Sequence, residues 1–223
     1  MDLKCHNISH DVYDEFKMIL ESATKESDVV PFIKNNLYLL RKISDSWNII
    51  YGVSEFSLGG NYKADFMLLS ADSGQWYVRL IEAESPTCKF FTKSGLEAKG
   101  LREARRQFSD WRSWLESNMQ SFRLSISDIV ESNCPANFNL SQHRLAKTQL
   151  RDIKTVVHIG YTAIIGRSSY RSESVNQKLS NIRDFKIITY DRLLDYAKTL
   201  EGCQTPNSKL HERLNYSCNF SVI

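Results

Sequence analysis

Two apolar runs separated by a short turn constrain this chain more than any other feature. The first is Tyr62-Lys63-Ala64-Asp65-Phe66-Met67-Leu68-Leu69 and the second is Tyr77-Val78-Arg79-Leu80-Ile81-Glu82-Ala83-Glu84, with Ala71-Asp72-Ser73-Gly74-Gln75 between them. Runs of this length around a glycine-containing turn predict a β-hairpin. Folding about Ser73-Gly74 sets Asp65 opposite Glu82. Side chains alternate along a strand, so Asp65, Glu82 and Glu84 then share one face. Like charges opposite one another destabilise a sheet, so stability alone does not account for the pattern. A divalent cation would remove the penalty and supply chemistry.

Magnesium takes hard oxygen ligands and commonly only one or two protein carboxylates. Asp65 and Glu82 can supply them. Such an ion polarises a phosphodiester and lowers the pKa of an attacking water. Glu84, two residues on, is then a further ligand or the general base. The plainer account is a pair of acids at the solvent end of a strand, because so short a motif arises often by chance. The spacing D…ExE on adjacent strands resembles the metal-dependent nuclease core known as PD-(D/E)XK, whose last position is more often lysine.

The rest of the chain surrounds this hairpin with helices. Val12, Phe16, Ile19 and Leu20 predict a helix over about 10–23. A second helix, capped by Ser27 or Asp28 with Pro31 in its first turn, carries Phe32, Ile33, Leu37 and Leu40. Trp47 to Leu58 predicts a strand. Leu101, Ala104, Phe108, Trp111 and Leu115 predict a long helix from Glu97 to Asn118. Ser121 to Ser141 is polar and mixed, with no clear period. Strands are expected over Thr155–Ile165 and Phe185–Tyr190, and helices over Ser172–Ile182 and Arg192–Leu200, the last capped by Asp191 and stopped at Gly202. The order predicts an α/β or α+β domain with a mixed sheet core flanked by helices, and α/β is the class expected.

Several function classes are disfavoured. The net charge of +3 announces no whole-molecule affinity for nucleic acid. The five cysteines, Cys5, Cys88, Cys134, Cys203 and Cys218, are scattered with no CxxC pair, which argues against a disulfide framework or a structural zinc site. Neither a signal pattern nor a membrane-length apolar run is evident, so the expectation is a cytoplasmic protein with no membrane partner. His6 and His10 are spaced to share a metal on a helix but lack a third ligand. No serine, histidine or cysteine arrangement points to nucleophilic catalysis.

Beyond the hairpin, further segments resemble the Shedu immune nuclease domain. Ser57 to Phe66 resembles its "lGg…pDF" segment, and Leu80 to Pro86 its strand with ELK or, in one branch, ELE. Phe90-Phe91-Thr92-Lys93-Ser94-Gly95, followed by Ala104, Gln107 and Asp110-Trp111, resembles "lFTk.G…A..Q..dW". Ile164-Ile165-Gly166-Arg167 and Thr189 to Leu194 resemble "iiGR" and "TyDrLl", and Glu26 with Phe32-Ile33-Lys34-Asn35-Asn36 resembles "E…fLe.np". The resemblance covers about Glu26 to Leu200. It divides the chain into an N-terminal helical segment (1–25), a Shedu-like nuclease domain (26–200) and a C-terminal tail (201–223).

The resemblance implies a restriction-endonuclease-like fold and a bacterial defence nuclease cutting DNA with Mg2+ or Mn2+. The alternative is a catalytically silent module of the same fold that binds nucleic acid or assembles a defence complex. It implies a homo-oligomer, with control from the N-terminal helix, from oligomer packing or from a separate regulatory protein. Asp65 and Glu82 carry over as metal ligands, with Glu84 in the position usually held by lysine and Glu26 as a candidate addition to the metal shell. Lys93 is the candidate replacement cation, and Gln107 resembles the helix glutamine that orients water or phosphate. Glu26 also has a plainer role, favouring a helix dipole. Arg102, Arg105, Arg106 and Arg112 are candidate phosphate contacts, and Trp114 a candidate base-stacking residue, although such residues are more often a solvated helix face and core.

Overall fold

The computed structural model describes residues 11–45, 49–72, 74–132, 149–200 and 220–222. Its centre is a six-stranded sheet in the order β5-β4-β3-β2-β1-β6. Strands β1 (Ile49–Leu58), β2 (Tyr62–Asp72) and β3 (Gln75–Ala83) form an antiparallel meander. Strands β4 (Val157–Ile164) and β5 (Lys186–Ile188) add in parallel to β3, and β6 (Phe220–Val222) pairs antiparallel with the outer side of β1. This is the mixed sheet that the order of elements predicts. A parallel neighbour needs a long crossover, and helix α3 (Lys99–Ser132) provides much of it between β3 and β4.

The hairpin runs read as nearly continuous apolar stretches because both sheet faces are covered. Met67, Leu69, Val78 and Leu80 face a core shared with Leu101, Ala104, Phe108 and Trp111 of α3. Phe66, Leu68, Ile81 and Ala83 face a second core with α1 (Asp11–Ser22), α2 (Val30–Asn35) and α5 (Tyr190–Leu200). Helix α4 (Glu173–Ser180) is capped by the Ser172 hydroxyl, which accepts from Val175 N at 3.3 Å. Phe108 touches Trp111, Tyr161 and Phe185 with centroid separations of 5.0–5.5 Å, tying α3 to β4 and to the chain entering β5.

Three expectations about helices are corrected. The long helix does not end at Asn118. It breaks there, at φ −128°, and resumes to Ser132. The Asn118 amide donates to Trp114 O at 2.8 Å, a local bond that competes with the helical ladder. Phe122, Ile126 and Val130 continue the buried stripe beyond the break, through the stretch that seemed to lack a period. The second helix is also interrupted, as a 3₁₀ turn at Glu26–Asp28, the short α2, and a 3₁₀ stretch at Leu37–Ile43. Asn36 divides the last two, with φ −133° and ψ 49°, and its amide donates to Phe32 O. Asp191 lies inside α5 rather than capping it, and its carboxylate accepts from Arg167 Nε at 2.9 Å. Trp47, Gly202, His6, His10 and every cysteine except Cys88 lie outside the described residues.

Candidate active site

The hairpin register is the one expected from the turn. Phe66 pairs with Ile81, so the next position along sets Asp65 across from Glu82. The Asp65 carboxylate accepts from Ala83 N at 2.8 Å, which fixes it at the end of β3. Glu82 is buried, 8% exposed, on the face covered by α3. Gln107 reaches it from that helix and hydrogen-bonds its carboxylate. Glu84 N donates to Ile164 O at 2.8 Å, so its chain continues alongside β4.

Burial is the largest influence on these acids, and mutual repulsion adds to it. Burial, then Asp65, pushes the Glu82 carboxyl up to about 9, against the lowering effect of the Gln107 bond. Burial, then Glu103, Glu26 and Asp65, raises Glu84 to about 7, while Lys99 opposes the rise. Burial also raises Asp65, although the Ala83 amide and the cations Lys34 and Lys63 oppose it. Glu26 is raised by burial and then by Asp65. Glu26 therefore belongs to the cluster's electrostatic neighbourhood.

The elements behind the cluster explain why scattered motif segments matter together. Tyr190, fully buried, donates its hydroxyl to Glu84 O at 2.7 Å. Arg167 donates to Asp191 and to Leu20 O, which brings β4's exit, α5 and α1 together. Gly166 allows this turn because its φ is +64° and any Cβ would meet Cys88 O at 2.4 Å. Ser85 and Thr87 both donate hydroxyls to Thr24 O, at 2.8 and 2.9 Å, drawing in the segment that carries Glu26. Gly100, in the first turn of α3, sits so close to the site that a Cβ would meet both Glu84 Oε2 and Cys88 Sγ at 2.9 Å.

Other candidates are placed differently. Lys93 is exposed in the turn closed by Gly95 N donating to Thr92 O, and among the described residues nothing ties it to the carboxylates. Arg105 is held by Glu97 and Asp184, and Arg106 by Asp110. Arg112 lies over the Tyr161 ring. Trp111 is core and Trp114 half-buried against the same cluster. The motif reading missed Tyr190 and Glu103. Tyr190 stood in the quoted Thr-Tyr-Asp-Arg segment, whereas nothing set Glu103 apart from the other acids on its helix.

Two oxygens decide what the cluster can hold. Glu82 Oε2 and Gln107 Oε1 are buried with no hydrogen-bond partner among the described residues. Leaving such atoms unpaired is costly, so their environment suits a hydrogen-bond donor such as water, or a cation. Among the described residues no group of three or more histidine, cysteine, aspartate or glutamate side chains is arranged to hold an ion. Magnesium does not require that many, because it keeps several waters and takes one or two carboxylates. Asp65 and Glu82 are chemically suited to it.

No curated protein matches the sequence. Among solved structures, the chain is similar to restriction endonuclease FokI bound to DNA, at 12% identity and a TM-score of 0.38, over 95% of this chain and 31% of that one. It is similar to FokI in a second structure at 12% identity and a TM-score of 0.37, over 91% and 30%. The chain therefore spans under a third of the length of these endonuclease chains. The family model described as Shedu protein SduA, C-terminal, matches residues 23–194, well over half of the sequence, and the chain belongs to that family.

Proposed function

We propose that the chain is a metal-dependent DNA endonuclease of a bacterial anti-phage or anti-plasmid defence system, hydrolysing phosphodiester bonds with Mg2+ or Mn2+. The observation that carries this reading is the unpartnered, buried Glu82 oxygen beside Asp65 and the equally unpartnered Gln107 oxygen. Asp65 and Glu82 hold the ion, with Glu26 at the edge of the shell. When bound, the ion polarises the phosphate and acidifies a water. Glu84, with a carboxyl near 7, serves as a further ligand or as the base that takes the water's proton near neutral pH. Gln107 holds Glu82 in place.

DNA as substrate is supported by a groove of about 920 Å3 at the β5 edge of the sheet. Seven lysine and arginine side chains line it, of which Arg79 and Lys186 are paired with Asp45, and Asp184 is the acid among the lining residues. They include Arg112, Arg183 and Arg192, and such a surface suits a phosphate backbone. The nuclease unit is residues 26–200, acting as a cytoplasmic homo-oligomer under a separate regulatory protein or the N-terminal helix. No helix among the described residues is long and apolar enough to cross a membrane. The silent-module alternative is favoured by one observation, the glutamate at position 84 where the wider nuclease pattern has a lysine.

Plasmid incubated with Mg2+ or Mn2+ separates the readings. The wild type is expected to cut, and Asp65→Ala and Glu82→Ala are expected not to. A wild type inert with every metal favours the silent module, and cutting that survives both substitutions removes the site. Gly100→Ala tests Glu84 without deleting it. The added methyl displaces the Glu84 carboxylate, so cleavage should fall about tenfold or more. The melting temperature should change by only a few degrees, because the helix gain of alanine over glycine offsets part of the cost of moving the Glu84 and Cys88 side chains.

A further inference from the structure

We propose that Lys34 is a catalytic residue of this site, its ammonium group held at the mouth of the carboxylate cluster by Glu55 and contacting the scissile phosphate. The inference rests on reading the cluster as a phosphodiesterase centre, and it names the cation which that centre otherwise lacks.

The first observation is a gap in the ladder beside Asp65. Ser54 pairs with Phe66 and Phe56 with Ala64, but the intervening Glu55 and Asp65 do not pair. Glu55 has φ 57°, and it is the only non-glycine residue with positive φ among the described residues. A glutamate in the left-handed region within a strand is strained, and such strain persists only where neighbours hold it. Its side chain pairs with two lysines. Lys34 Nζ lies 3.0 Å and Lys63 Nζ 2.7 Å from the same oxygen, Glu55 Oε1. The distortion thus falls at the strand position facing a proposed metal ligand, and its side chain fastens a lysine from another layer of the fold.

The second observation separates the two lysines. Lys63 is 55% exposed, whereas Lys34, from the last turn of α2, is 31% exposed. Both lysines lower the Asp65 carboxyl, and Lys34 lowers that of Glu26 as well. The other cations are less suited. Lys99 is 81% exposed and paired with Glu103 at 3.7 Å, and Lys93 stands in an exposed turn.

A side-chain cation complements the metal here. Asp65, Glu82, Glu84, Glu26 and Glu103 gather in one neighbourhood, and a phosphodiester approaching them is itself an anion. In hydrolysis a water oxygen bonds to phosphorus, the bond to the leaving sugar oxygen breaks, the water's proton passes to a base, and the leaving oxygen takes up a proton. Negative charge grows on the phosphate oxygens meanwhile. An ammonium aimed at them stabilises that charge and transfers no proton.

The test compares K34Q, K34R, E55Q, K63A and K93A in the full chain, with single-turnover cleavage resolved into rate and substrate affinity and Mn2+ affinity measured without DNA. K34Q should slow the cleavage rate by about a hundredfold, with DNA affinity and Mn2+ affinity within about threefold of wild type. K34R should restore most of the rate, and E55Q should fall between. K63A and K93A should stay near wild type. A K34Q rate near wild type overturns the proposal while leaving the site intact. Equal losses in K34Q and K63A also overturn it, because they make the pair a structural bridge. A wild type that cuts nothing, with Mn2+ binding unchanged in D65N, overturns the site itself and this inference with it.

Discussion

Glu82→Gln is expected to reduce cleavage by more than about a hundredfold and to raise the melting temperature of the metal-free protein. Both outcomes come from one fact. The carboxylate is buried next to Asp65, and its second oxygen has no partner. A functional ligand costs stability when its ion is absent. Burial and repulsion lift the folded carboxyl from 4.5 to about 9, so the folded state holds its proton more tightly than the unfolded chain does. The sign follows from linkage: stability falls as pH rises above the unfolded value, and the penalty levels off only above the folded one. A shift of this size corresponds to at most about 5 kcal/mol at pH 8, and water entry and local relaxation reduce it, so ~2–3 kcal/mol is expected. Glutamine carries no such penalty. In chelator, the melting-temperature advantage of Glu82→Gln should be small at pH 5 and widen towards pH 8. Millimolar Mg2+ should then stabilise the wild type but not the variant. A variant that melts below wild type at pH 8 in chelator would show that the carboxylate is structural.

Asp45→Ala should cost about 3 kcal/mol at pH 7, measured by denaturant titration. Arg79 lies on β3 with its side chain buried, 8% exposed. Its Nε donates to Asp45 Oδ2 at 2.9 Å, its Nη2 contacts both Asp45 oxygens, and its Nη1 donates to Tyr161 O at 3.2 Å. Removing Asp45 strands that buried charge, and the two remaining acceptors, Tyr161 O and Thr162 Oγ1, are neutral. Burial alone would raise the Asp45 carboxyl, but its bonds to Arg79 and Lys186 outweigh it and hold the carboxyl below its ordinary 3.8. The contribution of a depressed carboxyl is complete above the unfolded value and is lost as pH falls through the folded one. The gap between wild type and variant should therefore be flat above pH 5 and close below about pH 4. A gap that is unchanged in acid would assign the loss to packing.

The hairpin was legible because its signals are local. Alternation, a Ser-Gly turn and two apolar runs suffice to set Asp65 across from Glu82, and the helical stripe from Leu101 to Leu115 is equally local. The N-terminal region was less legible because Asn36 and the Glu26–Asp28 turn break a helix whose apolar spacing continues across the breaks. The helix beyond Asn118 was hidden by serines between Phe122, Ile126 and Val130, where three buried residues carry the pattern. Asp191 looked like a cap because aspartate is a good one, and only the approach of Arg167 from the end of β4 shows its actual partner. Lys34 and Glu55 could not be linked from sequence at all. Their contact joins α2 to β1, and no spacing rule spans that separation.

The hydrogen bonds from Ser85, Thr87 and Arg167 to the backbone of Thr24 and Leu20 act as bolts between the N-terminal layer and the strand ends. That layer carries Glu26 and Lys34, while the sheet carries Asp65, Glu82 and Glu84. The site is thus closed by docking two parts of the molecule, through these polar bonds at the rim and through the apolar core that the two parts share. Displacing that layer would draw a carboxylate and a cation away from the cluster at once. Loosening the bolts alone would shift Glu26 and Lys34 against the sheet carboxylates before it opened that core.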